Sequence, residues 1–345
     1  MASANTVITK TVSFLVKNLS QRNRDIISRR FGLKTGKKET LESIGKSYGI
    51  TRERVRQIEE FSLAQLAKTS ASSEDINKYI TTAKEILNGN GGVMREAELF
   101  KAFSGSEKDN VINASLVFVL TLAKEPVRFN ENDSFHSFWA VDGQIAESFR
   151  NGALSLVKAF EVNGKAVPQV ELTSFVEGNG TTHVKELPVL MTISKDLGVN
   201  VFGEIGLVSW PDIKPKGVRD KAYLVLKKEK TPKHFSEISK LINATGFSSK
   251  KANTQTVHNE LIKDSRFVLV GRGLYGLSEW GYKAGTVKDV LVDIIRSSSK
   301  PVTKTDLVAK VLNTRMVKEN TILLNLQDSK VFSKREDGTY ALRKA

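Results

Sequence analysis

The sequence of 345 residues predicts a mainly α-helical protein with small β-hairpins, a helix-turn-helix at its head followed by four further helical units. Three observations predict this. Apolar residues between positions 12 and 66 recur at three- and four-residue spacing, with glycines where one helix must stop and the next begin. From residue 74 onward one order recurs four times: a long amphipathic helix, a shorter one, a third, then two β-rich runs across a Gly/Asp/Asn turn. Hydrophobic content of 40% with no cysteine suits two to five modest cores and excludes disulfides and thiolate metal sites.

Val12, Leu15, Val16 and Leu19 have helical spacing and lead on to Ile26, Ile27 and Phe31, which should pack beneath the helix-turn-helix. Leu41, Ile44 and Tyr48 share one face of a helix capped by Thr40, and Gly49 ends it. Ile50 turns back to the core, Thr51 offers an N-cap hydroxyl, and Val55, Ile58 and Leu63 form the buried side of the second helix. Arg52, Glu53, Arg56 and Gln57 remain outward as one stripe on its first two turns. Arg suits guanine, Glu suits the cytosine amino group, and Gln suits adenine. A helix presenting such groups from its N-terminal turns fits a major groove, although a charged helix face is more often only solvated. Lys34–Lys38 reads as a mobile basic loop and Thr69–Ser73 as a linker.

The four repeats are predicted over residues 74–142, 143–212, 214–282 and 284–345, after a head of residues 1–68. In the first, helices over Ile76–Leu87, Glu96–Phe103 and Val111–Leu122 precede runs at Val127–Phe129 and Phe135–Val141. The second has helices over Ile145–Phe160, Gln169–Val176 and Val184–Leu197, then a hairpin within Val199–Trp210. The third has Val218–Lys228, Phe235–Thr245 and Thr254–Lys263, then Phe267–Val270 turning into Leu274–Leu277. The fourth has Val287–Ser297, Lys304–Leu312 and Lys318–Leu326, then Val331–Lys334 returning as Thr339–Leu342. Gly206, Gly273 and Gly338 fall near-evenly as turn glycines. That order is the winged-helix plan, so four tandem winged-helix-like units are expected.

Four motifs stand in one order: Leu19-Ser20-Gln21-Arg22, Arg30-Phe31-Gly32-Leu33, Thr40-Leu41-Glu42-Ser43-Ile44-Gly45 and Thr51-Arg52-Glu53-Arg54-Val55-Arg56-Gln57-Ile58-Glu59. Residues 19–66 thereby resemble region 4 of the bacterial sigma-70 family. The resemblance implies that Arg52, Glu53, Arg56 and Gln57 read bases. It implies phosphate contacts from Arg22, Arg30, Arg54 and Thr51 and from the helix start at Thr40 and Leu41. The chain departs from the family at Glu60, Phe61 and Gln65, where basic residues are common. The third repeat, through Thr231-Pro232-Lys233-His234-Phe235-Ser236-Glu237-Ile238, Thr256-Val257-His258-Asn259-Glu260-Leu261 and Phe267–Leu277, resembles the HARE-HTH winged helix, also represented in the RNA polymerase delta subunit.

The resemblances imply a sequence-specific regulator of transcription that reads a promoter-type, −35-like element in double-stranded DNA. The alternative is an accessory factor that docks on the RNA polymerase flap without reading DNA. Net charge supports a polyanionic partner: it is +15, and about half of the excess falls within residues 1–70. No enzyme activity, cofactor or metal is expected. With no apolar run of membrane-spanning length, the expected place is the cytoplasm, at the nucleoid.

Several motifs mimic other chemistry. Gly271–Gly276 satisfies G-x-G-x-x-G, but Leu277–Gly281 is a poor helix start, so a hairpin is expected. Gly32–Lys37 is one residue short of a phosphate loop. His136, His183, His234 and His258 lack ligand-spaced neighbours and read as packing or surface residues. Pro211-Asp212 lacks the spaced acidic-x-Lys of a nuclease. Trp139, Trp210 and Trp280 should seal each hairpin onto its core.

Overall fold

The computed structural model describes residues 2–178, 187–282, 284–298 and 300–343, with backbone only at 2–6. The head consists of α1 (Ala2–Leu15), α2 (Gln21–Phe31), α3 (Leu41–Tyr48) and α4 (Arg52–Ser70). Hydroxyls start three of them: Ser20 accepts from the Asn23 amide at 3.3 Å, Thr40 from Ser43 at 3.1 Å and Thr51 from Arg54 at 3.2 Å. The helix expected to run through Leu19 instead breaks after Leu15. There the Arg24 guanidinium donates to the carbonyls of Val16, Lys17 and Leu19 at 3.2, 3.0 and 3.1 Å, satisfying oxygens that a continued helix would have paired.

The turn between α3 and α4 depends on two glycines. Gly49 takes φ 65°, a left-handed cap, and the Ile50 amide returns to the Gly45 carbonyl at 3.0 Å. Gly45 itself lies where the chains touch, and a Cβ there would sit 2.7 Å from the Ile50 carbonyl oxygen. Gly45→Ala is therefore expected to destabilise the head by about 1–2 kcal/mol despite alanine's better helix propensity. A urea titration that showed a gain in stability would refute this close contact.

Ile26, Ile44 and Val55 are buried together, with Leu41, Tyr48, Ile50 and Ile58 around them. This small core holds the helix-turn-helix. A larger one joins Ile8, Val12, Leu15, Ile27, Phe31 and Leu66 of the head to Leu87, Leu99, Leu116, Phe118 and Trp139 of the following repeat. The linker read at Thr69–Ser73 is thus overturned. α4 continues to Ser70, which is buried, and α5 begins at Glu74 after a tight turn. The basic loop read at Lys34–Lys38 is exposed at its lysines and packed at its centre. Gly36 is buried with φ 78°, and a Cβ on it would meet the Asn110 Cα at 2.8 Å.

The chain divides into two compact units, residues 1–198 with 205–208, and residues 199–204 with 209–345. The first contains the head and α5 (Glu74–Asn88), β1 (Val93–Arg95), α6 (Glu96–Ser104), α7 (Val111–Leu122), β2 (Val127–Phe129) and β3 (Phe138–Ala140). Next come α8 (Gly143–Asn163), β4 (Val167–Pro168), α9 (Leu172–Gly178), α10 (Leu187–Ile193), β5 (Leu197–Val199) and β6 (Glu204–Leu207), the last two strands straddling the division. The second unit contains α11 (Val218–Glu229), β7 (Lys233–His234), α12 (Phe235–Thr245), α13 (Thr254–Lys263), β8 (Phe267–Gly271) and β9 (Leu274–Leu277). It ends with α14 (Val287–Ser297), β10 (Val302–Thr303), α15 (Lys304–Leu312), α16 (Glu319–Leu326), β11 (Phe332–Lys334) and β12 (Thr339–Leu342).

Each repeat gains a strand that the sequence pattern missed. β1, β4, β7 and β10 each add to the last strand of their repeat, giving sheets ordered β1-β3-β2, β4-β6-β5, β7-β9-β8 and β10-β12-β11. At two or three residues these strands are too short for alternation to register. The turn glycine of the second repeat is Gly203 (φ 79°) rather than Gly206, which lies inside β6, so the even spacing rested on the wrong residue. The helix expected from Val184 is described only from Leu187, and His183 lies outside the described residues. Within the second unit, the Met316 amide donates to the Val270 carbonyl at 2.8 Å, and Arg315 donates to the carbonyls of Gly285 (2.7 Å) and Leu269. These bonds tie the chain between α15 and α16 to β8 and to the turn before α14.

Candidate nucleic-acid interface

α4 starts at the Thr51 cap, and burial of Val55 and Ile58 against α2 and α3 sets its rotation. Arg52, Glu53, Arg56 and Gln57 are all exposed as a result. They already interact along the helix. Arg56 donates to Glu53 through Nε (2.9 Å) and Nη2 (2.7 Å) and to Glu60 through Nη1, while Arg54 donates to the Gln57 Oε1 at 3.0 Å. Hydrogen bonding to Glu53 raises the Arg56 pKa, and the same bond holds the Glu53 carboxyl below its ordinary range. Exposed pairs of this kind exchange partners readily. Glu53 and Arg56 together form a preset donor and acceptor pair.

The residues expected at phosphates divide. Arg22 is exposed, its guanidinium 5.4 Å from the centre of the Tyr48 ring. Arg54 and the cap residues Thr40 and Thr51 are exposed as well, and Leu41 is half-buried at the start of α3. Arg30 is engaged: its Nε lies 3.1 Å from the Glu59 Oε2, and Nη1 donates to the Glu39 carbonyl at 3.1 Å. Arg30 therefore braces α2 against α4 and the start of α3. Two further supports have no signature in the sequence. Arg29 binds Glu39 through Nε (2.9 Å) and Nη2 (2.8 Å), and the Tyr48 hydroxyl donates to Asp25 at 2.8 Å.

A third support joins the head to the first repeat. Glu96 receives Arg128 Nε (2.5 Å), Arg128 Nη2 (2.8 Å) and Trp139 Nε1 (3.0 Å), with the Lys38 ammonium 3.9 Å away. Burial pushes the Glu96 carboxyl up, but Arg128, Lys38 and Trp139 together outweigh it and hold it below the ordinary range. Burial also lowers the Lys38 pKa, only partly offset by Glu96.

The third helices of the repeats differ from α4. α7 is buried from Asn113 to Leu120, and neither α7 nor α10 contains a charged residue. α13 exposes Thr254, Gln255, Thr256 and Asn259 and has one basic residue, Lys263, while α16 has none. Among the described residues none offers the basic face that a groove-reading helix needs.

The mimics take structural roles. Gly271–Gly276 spans the β8–β9 hairpin, with Gly273 at φ 69° in its turn. Gly32 (φ 73°) caps α2. Asp212 accepts from Lys227 at 2.9 Å. The His234 Nδ1 caps α12 through the Ser236 amide, His258 stacks on Phe235 at 4.2 Å, and His136 approaches Arg95 at 3.4 Å. Trp139 is fully buried in β3, and Trp280 packs against the core of the third repeat. Among the described residues no helix is long and apolar enough to cross a membrane.

Comparison with known proteins addresses this head. The family model for sigma-70, region 4, matches residues 15–68. Residues 15–68 thus resemble sigma-70 region 4. The region 4 segment is similar to the RNA polymerase principal sigma factor HrdD of Streptomyces viridifaciens, 46% identical over 54 residues, 16% of each chain. The chain is also similar to the RNA polymerase sigma factor SigA of a Bacillus species, 38% identical over 71 residues, 21% of this chain and 19% of the relative. The sigma factor SigA1 of Synechococcus elongatus is 37% identical over 70 residues, 20% of this chain and 18% of the relative. The chain thus spans less than a fifth of the length of these relatives.

Proposed function

We propose that the protein is a non-enzymatic DNA-binding regulator of transcription whose region 4 segment reads a short promoter-type element in the major groove. The exposed stripe of Arg52, Glu53, Arg56 and Gln57 on the first turns of α4 carries this reading. Arg22, Arg54 and Thr51, with the start of α3 at Thr40 and Leu41 and the Glu59-braced Arg30, are its phosphate contacts. The four repeats are winged-helix-like units bounded near residues 142, 212 and 283, the third of the HARE-HTH type. Their apolar or neutral third helices suit them to packing and protein contact rather than groove reading.

Selection of bound sequences from random duplex DNA at near-physiological salt tests the proposal, and a sharp motif is the expected outcome. Arg22→Gln should weaken all sequences alike and lower the slope of log affinity against log salt by about 0.9. The second reading, an accessory factor acting on polymerase, draws on the printed names of the relatives, all RNA polymerase sigma factors. A flat selection with RNA polymerase co-purifying would favour it.

A further inference from the structure

Where α2 and the loop before α3 meet the β2–β3 hairpin lies a cleft of about 380 Å³, in which the family resemblance gives a role to Arg30 but not to Lys38, Lys124 or Arg128. Arg30, Lys38, Lys124 and Arg128 line it, against a single lining carboxylate, Glu59. The arginines are held in place, Arg30 by Glu59 and Arg128 by Glu96 beneath the cleft. The lysines are not. Among the described residues the Lys38 ammonium has no acceptor nearer than Glu96 at 3.9 Å, and exposed Lys124 has no partner. Two incompletely paired ammonium groups that share a cleft with two fixed guanidinium groups suit a phosphate oxygen cluster.

The position of the cleft selects the source of that phosphate. Arg30 donates to the Glu39 carbonyl, one residue before the Thr40 cap of α3, so the cleft adjoins that helix start. Glu59 lies three residues past Arg56 on α4, about 4.5 Å further along the axis. The cations therefore continue the head's DNA-facing surface onto the first repeat. We propose that this cleft grips a DNA backbone phosphate flanking the element read by α4, so that the β2–β3 hairpin lengthens the DNA footprint of the head.

The inference rests on the DNA-reading proposal, and two duplex lengths separate their failures. The test compares the full chain with a Lys38→Gln/Lys124→Gln variant on the selected element, once with long flanks and once trimmed from either end. On the long duplex, the variant should lose about tenfold in affinity and its salt slope should fall by about 0.9, the release expected for one gripped phosphate. On the duplex trimmed of the flank beside α3, the two proteins should bind equally. The Lys38→Arg/Lys124→Arg variant should restore the slope, which separates charge loss from misfolding.

An unchanged slope on the long duplex, or the same loss on both duplexes, overturns the inference and leaves the head reading intact. Absence of binding by the unaltered protein overturns both. Saturable binding of inorganic phosphate that the glutamine variant abolishes, with DNA binding unaltered, would replace the inference with a small-anion site.

Discussion

Glu96→Gln should lower the stability of the first unit by about 2–3 kcal/mol at neutral pH, read as a shift in the urea midpoint. The carboxylate is the common acceptor for Arg128 and Trp139 and the nearest counter-charge for Lys38. Removing its charge leaves cations only partly open to water. Breaking a fully buried pair costs roughly 3–5 kcal/mol, and residual exposure of Arg128 puts this one lower. The pH dependence has a defined sign. Because the folded carboxyl titrates below its ordinary range, its contribution is complete above the unfolded value near 4.5 and is lost as pH falls through the folded value. The gap between wild type and variant should hold constant above about pH 5.5 and narrow below 4.5. A gap that widened in acid would disprove the ion-pair account.

Arg56→Ala should reduce affinity for the selected element by roughly 10- to 100-fold and relax preference at one base pair. The side chain is exposed and, among the described residues, bonded only to Glu53 and Glu60 on its own helix, so the melting temperature should stay near that of wild type. An unchanged selected motif would remove α4 from base reading. A falling melting temperature would mean instead that its pairs with Glu53 and Glu60 brace the helix.

The helices were legible because their signals are local. α7, α12, α13, α14 and α15 have the bounds that apolar spacing and flanking caps predict, and the Thr40 and Thr51 hydroxyls cap as expected. The region 4 motifs are local too, which is why the head was recognisable from about fifty residues. Illegible features depend on partners distant in sequence. β1 exists only because β3, more than forty residues later, offers an edge. Arg30 looked like a free phosphate contact because nothing in its neighbourhood announces Glu59. Lys34–Lys38 looked mobile because its composition is polar, yet Gly36 closes onto Asn110 in the next repeat.

By itself the sequence determined most of the helices, the helix-turn-helix and the stripe on α4, since spacing, capping and glycine placement act within a few residues. Only the tertiary structure decided that head and first repeat share one core, that α7 is buried within it, and that Lys38 and Arg128 meet over Glu96. Apolar surface is buried wherever chain closure brings it, and burial has no direction that a run of residues can record. Charge pairing across that core then follows from the packing.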